Sequence, residues 1–188
     1  MGIIDNIKKI INPDAIIGVG LKYKEGVLLE EDASDAKLKE VAIRGLDLKQ
    51  TFAFKLDQPG KRISQYLNPS TAYINKGCDG IIFTVMNNEL YIFACELKSS
   101  KPNETELVRK FRNSSLFINF IVSILQEFYS LEEHFKIKYI LFDTKKSFGK
   151  PDKTIQPERI SGDGKWLDIY KIHRKYNDDP FNIRLLEL

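Results

Sequence analysis

Two apolar, strand-forming runs separated by a pair of asparagines constrain the fold of this 188-residue chain more than any other feature. The runs cover residues 81–85 and 90–97 and are rich in residues that favour β-strands. Asn87 and Asn88 tolerate left-handed backbone angles, which a two-residue hairpin turn requires. Both runs are apolar on both faces, which is typical of interior strands that are covered on each side. The sequence therefore predicts an antiparallel hairpin inside a sheet.

A two-residue turn also fixes which residues of the hairpin face each other. Counting back from the asparagines places Asp79 directly opposite Glu96. Opposed side chains in such a ladder have Cβ atoms about 4.5–5.5 Å apart. Because side chains alternate along a strand, Lys98 shares a face with Glu96. The register therefore predicts that two carboxylates and one ammonium group meet at one end of the hairpin.

This combination of charges favours a metal site. Two opposed carboxylates repel each other and need positive charge between them when they are partly buried. Lys98 supplies part of that charge, and Mg²⁺ or Mn²⁺, which accept hard oxygen ligands and retain waters, would supply more. A metal there can polarise a phosphoryl oxygen and lower the pKa of a bound water. Lys98 would then orient that water or stabilise the developing negative charge.

The same residues resemble the motif of the PD-(D/E)XK nuclease superfamily. In that family the Asp and the Glu bind the metal, the residue between Glu and Lys offers its backbone carbonyl, and the Lys is catalytic. Carried over by motif position, these roles fall to Asp79, Glu96, Leu97 and Lys98. The resemblance covers roughly residues 75–143. It implies an α/β, restriction-endonuclease-like three-layer sandwich, with a central mixed β-sheet flanked by helices.

Many members of the superfamily contribute a further acidic residue from a helix upstream of the first core strand. Residues 31–40 are rich in charge, and we expect them to be helical, with Ser34 as a possible N-cap. Glu40 is therefore the candidate for an additional metal ligand in this chain.

The elements after the motif are also predictable. Asn103 and Glu106 form a capping-box pattern, and the helix that they begin should run to about residue 130. Strands are expected at 136–143 and 166–172, so the order of elements favours an α/β fold. We expect a single domain over 1–188. Its nuclease-like core would span about 34–143, followed by a basic C-terminal extension over 145–188.

Basic residues are concentrated late in the chain. Residues 145–175 contain nine lysines and arginines against four acidic residues, although the whole chain has a formal net charge of only +3. Such a segment is either a solvated surface or a surface that faces phosphates. Basic residues at the start of the long helix have the same two interpretations. The candidate nucleic-acid contacts are Lys101, Arg109, Lys110, Arg112, Lys145, Lys146 and Lys150.

The remaining reactive residue types suggest no other chemistry. Cys78 and Cys95 are next to apolar residues and are expected to be buried thiols of a cytoplasmic protein. His134 and His173 have no metal-binding spacing, so we expect them to be surface residues. No apolar stretch is long enough to span a bilayer, and no membrane partner is expected.

The resemblance implies a Mg²⁺-dependent or Mn²⁺-dependent endonuclease that hydrolyses phosphodiester bonds, with DNA favoured over RNA. A restriction, repair or phage-defence role would fit, in a homodimer or a larger defence or repair complex. The alternative is a catalytically inactive module of the same fold that binds DNA or a protein partner.

Overall fold

The computed structural model describes residues 2–18, 26–31, 33–58, 60, 63–132, 134–144, 154–174 and 180–186. These residues form two α-helices and nine β-strands. The helices are α1 (Ile3–Ile10) and α2 (Glu104–Tyr129). The strands are β1 (Gly26–Glu30), β2 (Glu40–Arg44), β3 (Thr51–Phe54), β4 (Gly80–Met86), β5 (Glu89–Lys98), β6 (Phe135–Asp143), β7 (Glu158–Gly162), β8 (Lys165–His173) and β9 (Phe181–Asn182).

The described strands form two mixed sheets. The larger sheet has six strands in the order β3-β4-β5-β6-β8-β7, and the smaller has three in the order β1-β2-β9. Within the larger sheet β5, β6 and β8 are parallel, so their C-terminal ends lie at the same edge. The predicted α/β class is confirmed, with β4 and β5 inside the larger sheet.

The hairpin has the predicted register. Asn87 and Asn88 have φ angles of 53° and 61°, the left-handed values that a two-residue turn requires. Met86 pairs with Glu89, and Gly80 pairs with Cys95. The turn chemistry therefore sets the alignment of every residue further along the two strands.

The chain forms layers in the order helices, six-stranded sheet, three-stranded sheet. Ile7 of α1 and Phe111 of α2 belong to the buried cluster on one face of the larger sheet. Val27 and Ile43 of the smaller sheet belong to the cluster on the opposite face. We expected a central sheet flanked by helices; within the described part of the chain the helices cover one face of the larger sheet, and the three-stranded sheet covers the other.

The expected helix over residues 31–40 is also absent from the described part of that segment, which leads from β1 into β2. The segment contains few apolar residues and lacks a helical stripe that could pack on the core. Val41 and Ile43, which follow it, are β-branched and buried in β2. Packing against the larger sheet therefore favours a strand here.

Helix α2 is the longest described element and follows the predicted course. The Asn103 side chain accepts a hydrogen bond from the backbone N–H of Glu106 at 3.2 Å, and Ser130 ends the helix in a left-handed conformation. Its buried residues pack on the sheet between β4 and β7. None of the described helices is long and apolar enough to cross a membrane.

The segment that we expected as a C-terminal extension contributes strands to both sheets. Strand β8 pairs with β6, and β7 forms the edge beside it. Strand β9 completes the smaller sheet by pairing with β2. The described residues from 154 onward are therefore part of the layered structure.

Candidate functional site

Asp79, Glu96 and Lys98 lie on the same side of the larger sheet. Asp79 precedes β4 by one residue, and the register of the hairpin places it opposite Glu96 near the end of β5. Side chains alternate along a strand, so Asp79 shares the face of Ile81, and Glu96 and Lys98 share the face of Ala94. Ile81 and Ala94 both belong to the buried cluster that packs against the helices. The three ionisable groups therefore face the helical layer, as the register predicts.

Asp79 is held against the backbone of β5. Its Oδ2 accepts a hydrogen bond of 2.6 Å from the backbone N–H of Leu97, and its side chain is almost completely buried. Burial and then the negative charge of Glu96 raise the pKa of Asp79 to about 8, and Lys110 and the Leu97 hydrogen bond offset this only in part. In the absence of added positive charge, Asp79 therefore retains its proton at neutral pH.

Glu96 is fully buried and has two lysines against one of its oxygens. Its Oε1 lies 2.8 Å from Nζ of Lys98 and 2.7 Å from Nζ of Lys110. Nζ of Lys110 also lies 3.8 Å from Oδ2 of Asp57. Burial alone would lower the pKa of Lys110, but the charges of Glu96 and Asp79 outweigh it and raise the pKa. Lys110 is therefore a buried ammonium that neutralises part of the site.

This position of Lys110 differs from the expected one. The sequence predicted a nucleic-acid contact for Lys110, but its side chain is only 8% exposed and points at Glu96. The sequence did contain a signal for this placement. Lys110 lies between Leu107 and Ser114 at helical spacing, on the stripe that α2 buries. A lysine on the buried stripe of a helix needs an internal partner, and Glu96 is that partner.

The oxygen atoms of this site fit a hard divalent cation. Oε2 of Glu96 is buried and has no hydrogen-bond partner within the described part of the chain. Asp79 lies opposite it, and the backbone of Leu97 passes beside Asp79. Two carboxylates and one carbonyl, completed by waters, are a suitable ligand set for Mg²⁺ or Mn²⁺.

The structure does not assemble the three-carboxylate set that the sequence suggested. Among the described residues no group of three or more His, Cys, Asp or Glu side chains is placed to hold a metal ion. Glu40, the expected additional ligand, begins β2 in the smaller sheet and pairs with Glu30. The reason is the missing helix, because a strand at this position belongs to the layer on the far side of the sheet. Glu31, which follows β1 in the same layer, carries a negative charge that helps to raise the pKa of Asp79.

The other predicted contact residues have different surroundings. Lys101 is exposed on the loop before α2. Arg109 forms an ion pair with Asp163, and its guanidinium group lies 4.7 Å from the centre of the Tyr73 ring. Arg112 is half-buried. The remaining candidates, Lys145, Lys146 and Lys150, lie outside the described residues.

One pair of ionisable residues at the same edge of the sheet was missed by sequence reasoning. Nδ1 of His173 lies 2.5 Å from Oδ1 of Asp143, and the two residues are neighbours in register at the ends of β8 and β6. The available signal was that both residues end strand-forming runs. Parallel strands bring such ends together, but their order in the sheet cannot be read from the runs themselves.

The two cysteines have no place in this chemistry. Both are fully buried free thiols, as expected. Burial raises the pKa of the Cys78 thiol to about 12, and burial also raises that of Cys95. Because the thiolate is the reactive form, neither residue acts as a nucleophile.

No family model, no curated protein and no solved structure matches this chain.

Proposed function

We propose that this protein is a Mg²⁺-dependent or Mn²⁺-dependent nuclease with a restriction-endonuclease-like fold, which hydrolyses phosphodiester bonds in nucleic acid. The observation that carries the proposal is the meeting of Asp79, Glu96 and Lys98 on one face, where a buried oxygen of Glu96 has no hydrogen-bond partner among the described residues. A buried carboxylate oxygen in this state favours a cation beside it. Phosphodiester hydrolysis is the reaction for which this set of groups is suited.

Asp79 and Glu96 would hold the metal, together with the backbone carbonyl of Leu97. Leu97 donates its backbone N–H to Oδ2 of Asp79, so its backbone lies beside a carboxylate that would hold the metal. When bound, the metal supplies positive charge to a phosphoryl oxygen and lowers the pKa of a coordinated water.

The two lysines would have different tasks. Lys98 is about one third exposed and can reach a phosphate or an attacking water, where its ammonium group stabilises developing negative charge. Lys110 is buried and holds Oε1 of Glu96, which leaves Oε2 for the cation.

Substrate binding would depend mainly on phosphate contacts. Lys101 is exposed on the loop that follows β5, three residues after Lys98, and would contact a phosphate. Binding through such contacts releases counter-ions and should weaken as salt concentration rises. We propose DNA as the preferred substrate, and a cytoplasmic restriction, repair or phage-defence role, in a homodimer or a larger complex.

A cleavage assay with matched variants tests this function. Supercoiled plasmid, single-stranded DNA and RNA are incubated with the protein in Mg²⁺, Mn²⁺ or EDTA. Lys98→Ala should lower the cleavage rate by about 10²-fold or more. Lys136→Ala removes a lysine at the opposite end of the sheet and should leave the rate unchanged. Cleavage that persists both in EDTA and in Lys98→Ala would exclude this mechanism.

A non-catalytic module of the same fold is the second candidate. The observation that favours it is Lys110, because its ammonium already neutralises Glu96, while no third acidic group joins the described site. Such a module would bind DNA with an affinity that falls with salt, in EDTA as well as in Mg²⁺, and would cleave nothing.

A further inference from the structure

A histidine and an aspartate extend the site along the edge of the larger sheet. The parallel strands β5, β6 and β8 place Lys98 beside Asp143, and Asp143 beside His173. Paired residues in a parallel ladder project to the same face, so all three side chains face the helical layer. Neighbouring strands lie about 4.8 Å apart, so about 10 Å separates the Cα atoms of Lys98 and His173. Asp143 lies in the middle of this row, so Lys98 and His173 flank it at the edge of the sheet.

A short contact with Asp143 orients the imidazole ring of His173. Asp143 is 4% exposed, and its Oδ1 lies 2.5 Å from Nδ1 of His173. A proton on Nδ1, donated to the carboxylate, would leave the lone pair of a neutral ring on Nε2. The imidazole is about one quarter exposed, so Nε2 can meet a ligand from solvent.

A small cleft opens beside this ring. It has a volume of about 80 Å³ and lies between β6, β7, β8 and the start of α2, with Leu107 and Ile160 among its apolar walls. Lys171 and Glu158 line it and neutralise each other at 2.8 Å. The titratable or charged groups that line this cleft with His173 are Lys101, Glu104, Asp143, Glu158 and Lys171, and Lys98 lies beside Asp143 in register.

We propose that His173 is the general base of the hydrolysis and that Asp143 is its positioning residue; this inference rests on the proposed nuclease function. Nε2 takes a proton from a water molecule while the water oxygen forms a bond to phosphorus. The phosphorus–oxygen ester bond breaks, the leaving oxygen takes a proton from solvent, and the imidazolium later returns its proton to solvent. Lys98 complements this role, because an ammonium group donates hydrogen bonds but does not accept a proton.

Two substitutions and a control test the assignment. His173→Gln should lower kcat by about 10²–10⁴-fold with little change in KM. Asp143→Asn should also lower kcat, because an amide can favour the other tautomer of the ring. His134→Gln replaces an exposed histidine at the opposite end of β6 and should behave as the unaltered protein. Thermal unfolding of each variant shows whether the fold is retained.

The outcomes separate this inference from the proposed function. Cleavage that is lost in Lys98→Ala but kept in His173→Gln at every pH overturns the role of His173 and leaves the nuclease proposal standing. Absence of cleavage by the unaltered protein overturns both. Nitrogen NMR of the imidazole gives a test that needs no activity: the His173 ring should carry its proton on Nδ1, and a ring protonated on Nε2 alone overturns the assignment.

Discussion

In the metal-free protein, two lysines stabilise the buried carboxylate of Glu96, and their contributions differ. Lys110 contributes more than Lys98, because its ammonium is itself buried and has few waters to replace Glu96 as a partner. A comparable pair, Lys136 with Glu89, has the same 2.7 Å separation but is nearly half exposed. The two ion pairs therefore have the same length and differ in burial, so replacing each lysine measures the effect of burial on the strength of the pair.

Replacing Lys110 with Met should destabilise the metal-free protein by about 3–5 kcal/mol, because it leaves the charge of Glu96 buried with a single partner. Lys136→Met should destabilise the protein far less than Lys110→Met, because water screens an exposed ion pair and can replace the lost partner. Urea unfolding in EDTA measures both free energies. Saturating Mn²⁺ should recover part of the loss in Lys110→Met by supplying the missing positive charge. Equal losses in the two variants would show that Lys110 has no special electrostatic role.

The raised pKa of Asp79 predicts a pH dependence of stability. Its pKa is 3.8 in an unperturbed chain and about 8 in the folded protein. Between these values the folded state binds a proton that the unfolded state has lost, so the free energy of unfolding falls as pH rises. Asp79→Asn should remove this component. Urea midpoints of the metal-free protein at about pH 5.5 and pH 8.5 measure it. Parallel pH profiles for the two proteins would contradict the prediction.

The same pKa shift predicts proton release when metal binds. Near neutral pH most Asp79 side chains are protonated, and a divalent cation must displace that proton to use the carboxylate. Calorimetric titration with Mn²⁺ in two buffers of different ionisation enthalpy measures the protons released. The unaltered protein should release more protons than Asp79→Asn, and apparent affinity should rise with pH up to about 8. Metal binding without proton release would show that Asp79 is not a ligand.

At the scale of elements, the sequence predicted those elements that depend on residues close together in the chain. The hairpin follows from two asparagines that accept positive φ, and α2 follows from the cap at Asn103. The smaller sheet was missed, because its strands are short and β9 reaches β2 from the far end of the chain. For the same reason the order β5-β6-β8, which joins Asp143 to His173, could not be derived from sequence.

The candidate site was likewise predictable only where its residues lie close together in the sequence. Asp79, Glu96 and Lys98 belong to one hairpin, so a single turn places them together. Lys110 reaches Glu96 from α2, a contact that depends on which face of the helix packs on the sheet. Burial of that face was expected from its apolar residues, but the pairing of one buried charge with another requires the packed structure.

The hairpin turn provides a prediction at this scale. Asn88 has a left-handed backbone conformation, so Asn88→Gly should stabilise the protein by up to about 1 kcal/mol, whereas Asn88→Val should cost about 1–2 kcal/mol. The same Asn→Gly change at Asn119, an exposed position inside α2, should be destabilising by about 0.5 kcal/mol. Urea unfolding compares the three variants. A loss of stability in Asn88→Gly would argue against the turn geometry on which the register depends.

At the scale of the whole molecule, the end of the hairpin that bears Asp79 is supported by the layer on the other face. Gly80, the residue after Asp79, lies against the side chain of Leu29 in β1. A Cβ atom at position 80 would lie only 2.6 Å from Cδ2 of Leu29, which is closer than such atoms can approach. The absence of a side chain at Gly80 thus allows the smaller sheet to pack directly beside the site.

A double-mutant cycle tests this contact between the sheets. Gly80→Ala should cost about 1–3 kcal/mol because the added methyl group overpacks against Leu29. Leu29→Ala should cost about 2–5 kcal/mol through the cavity that it leaves. In the double variant the methyl group enters that cavity, so the combined loss should be smaller than the sum by about 0.5–3 kcal/mol. Urea unfolding of the four proteins measures the coupling, and strictly additive losses would show that the smaller sheet does not constrain the position of Gly80 and the neighbouring Asp79.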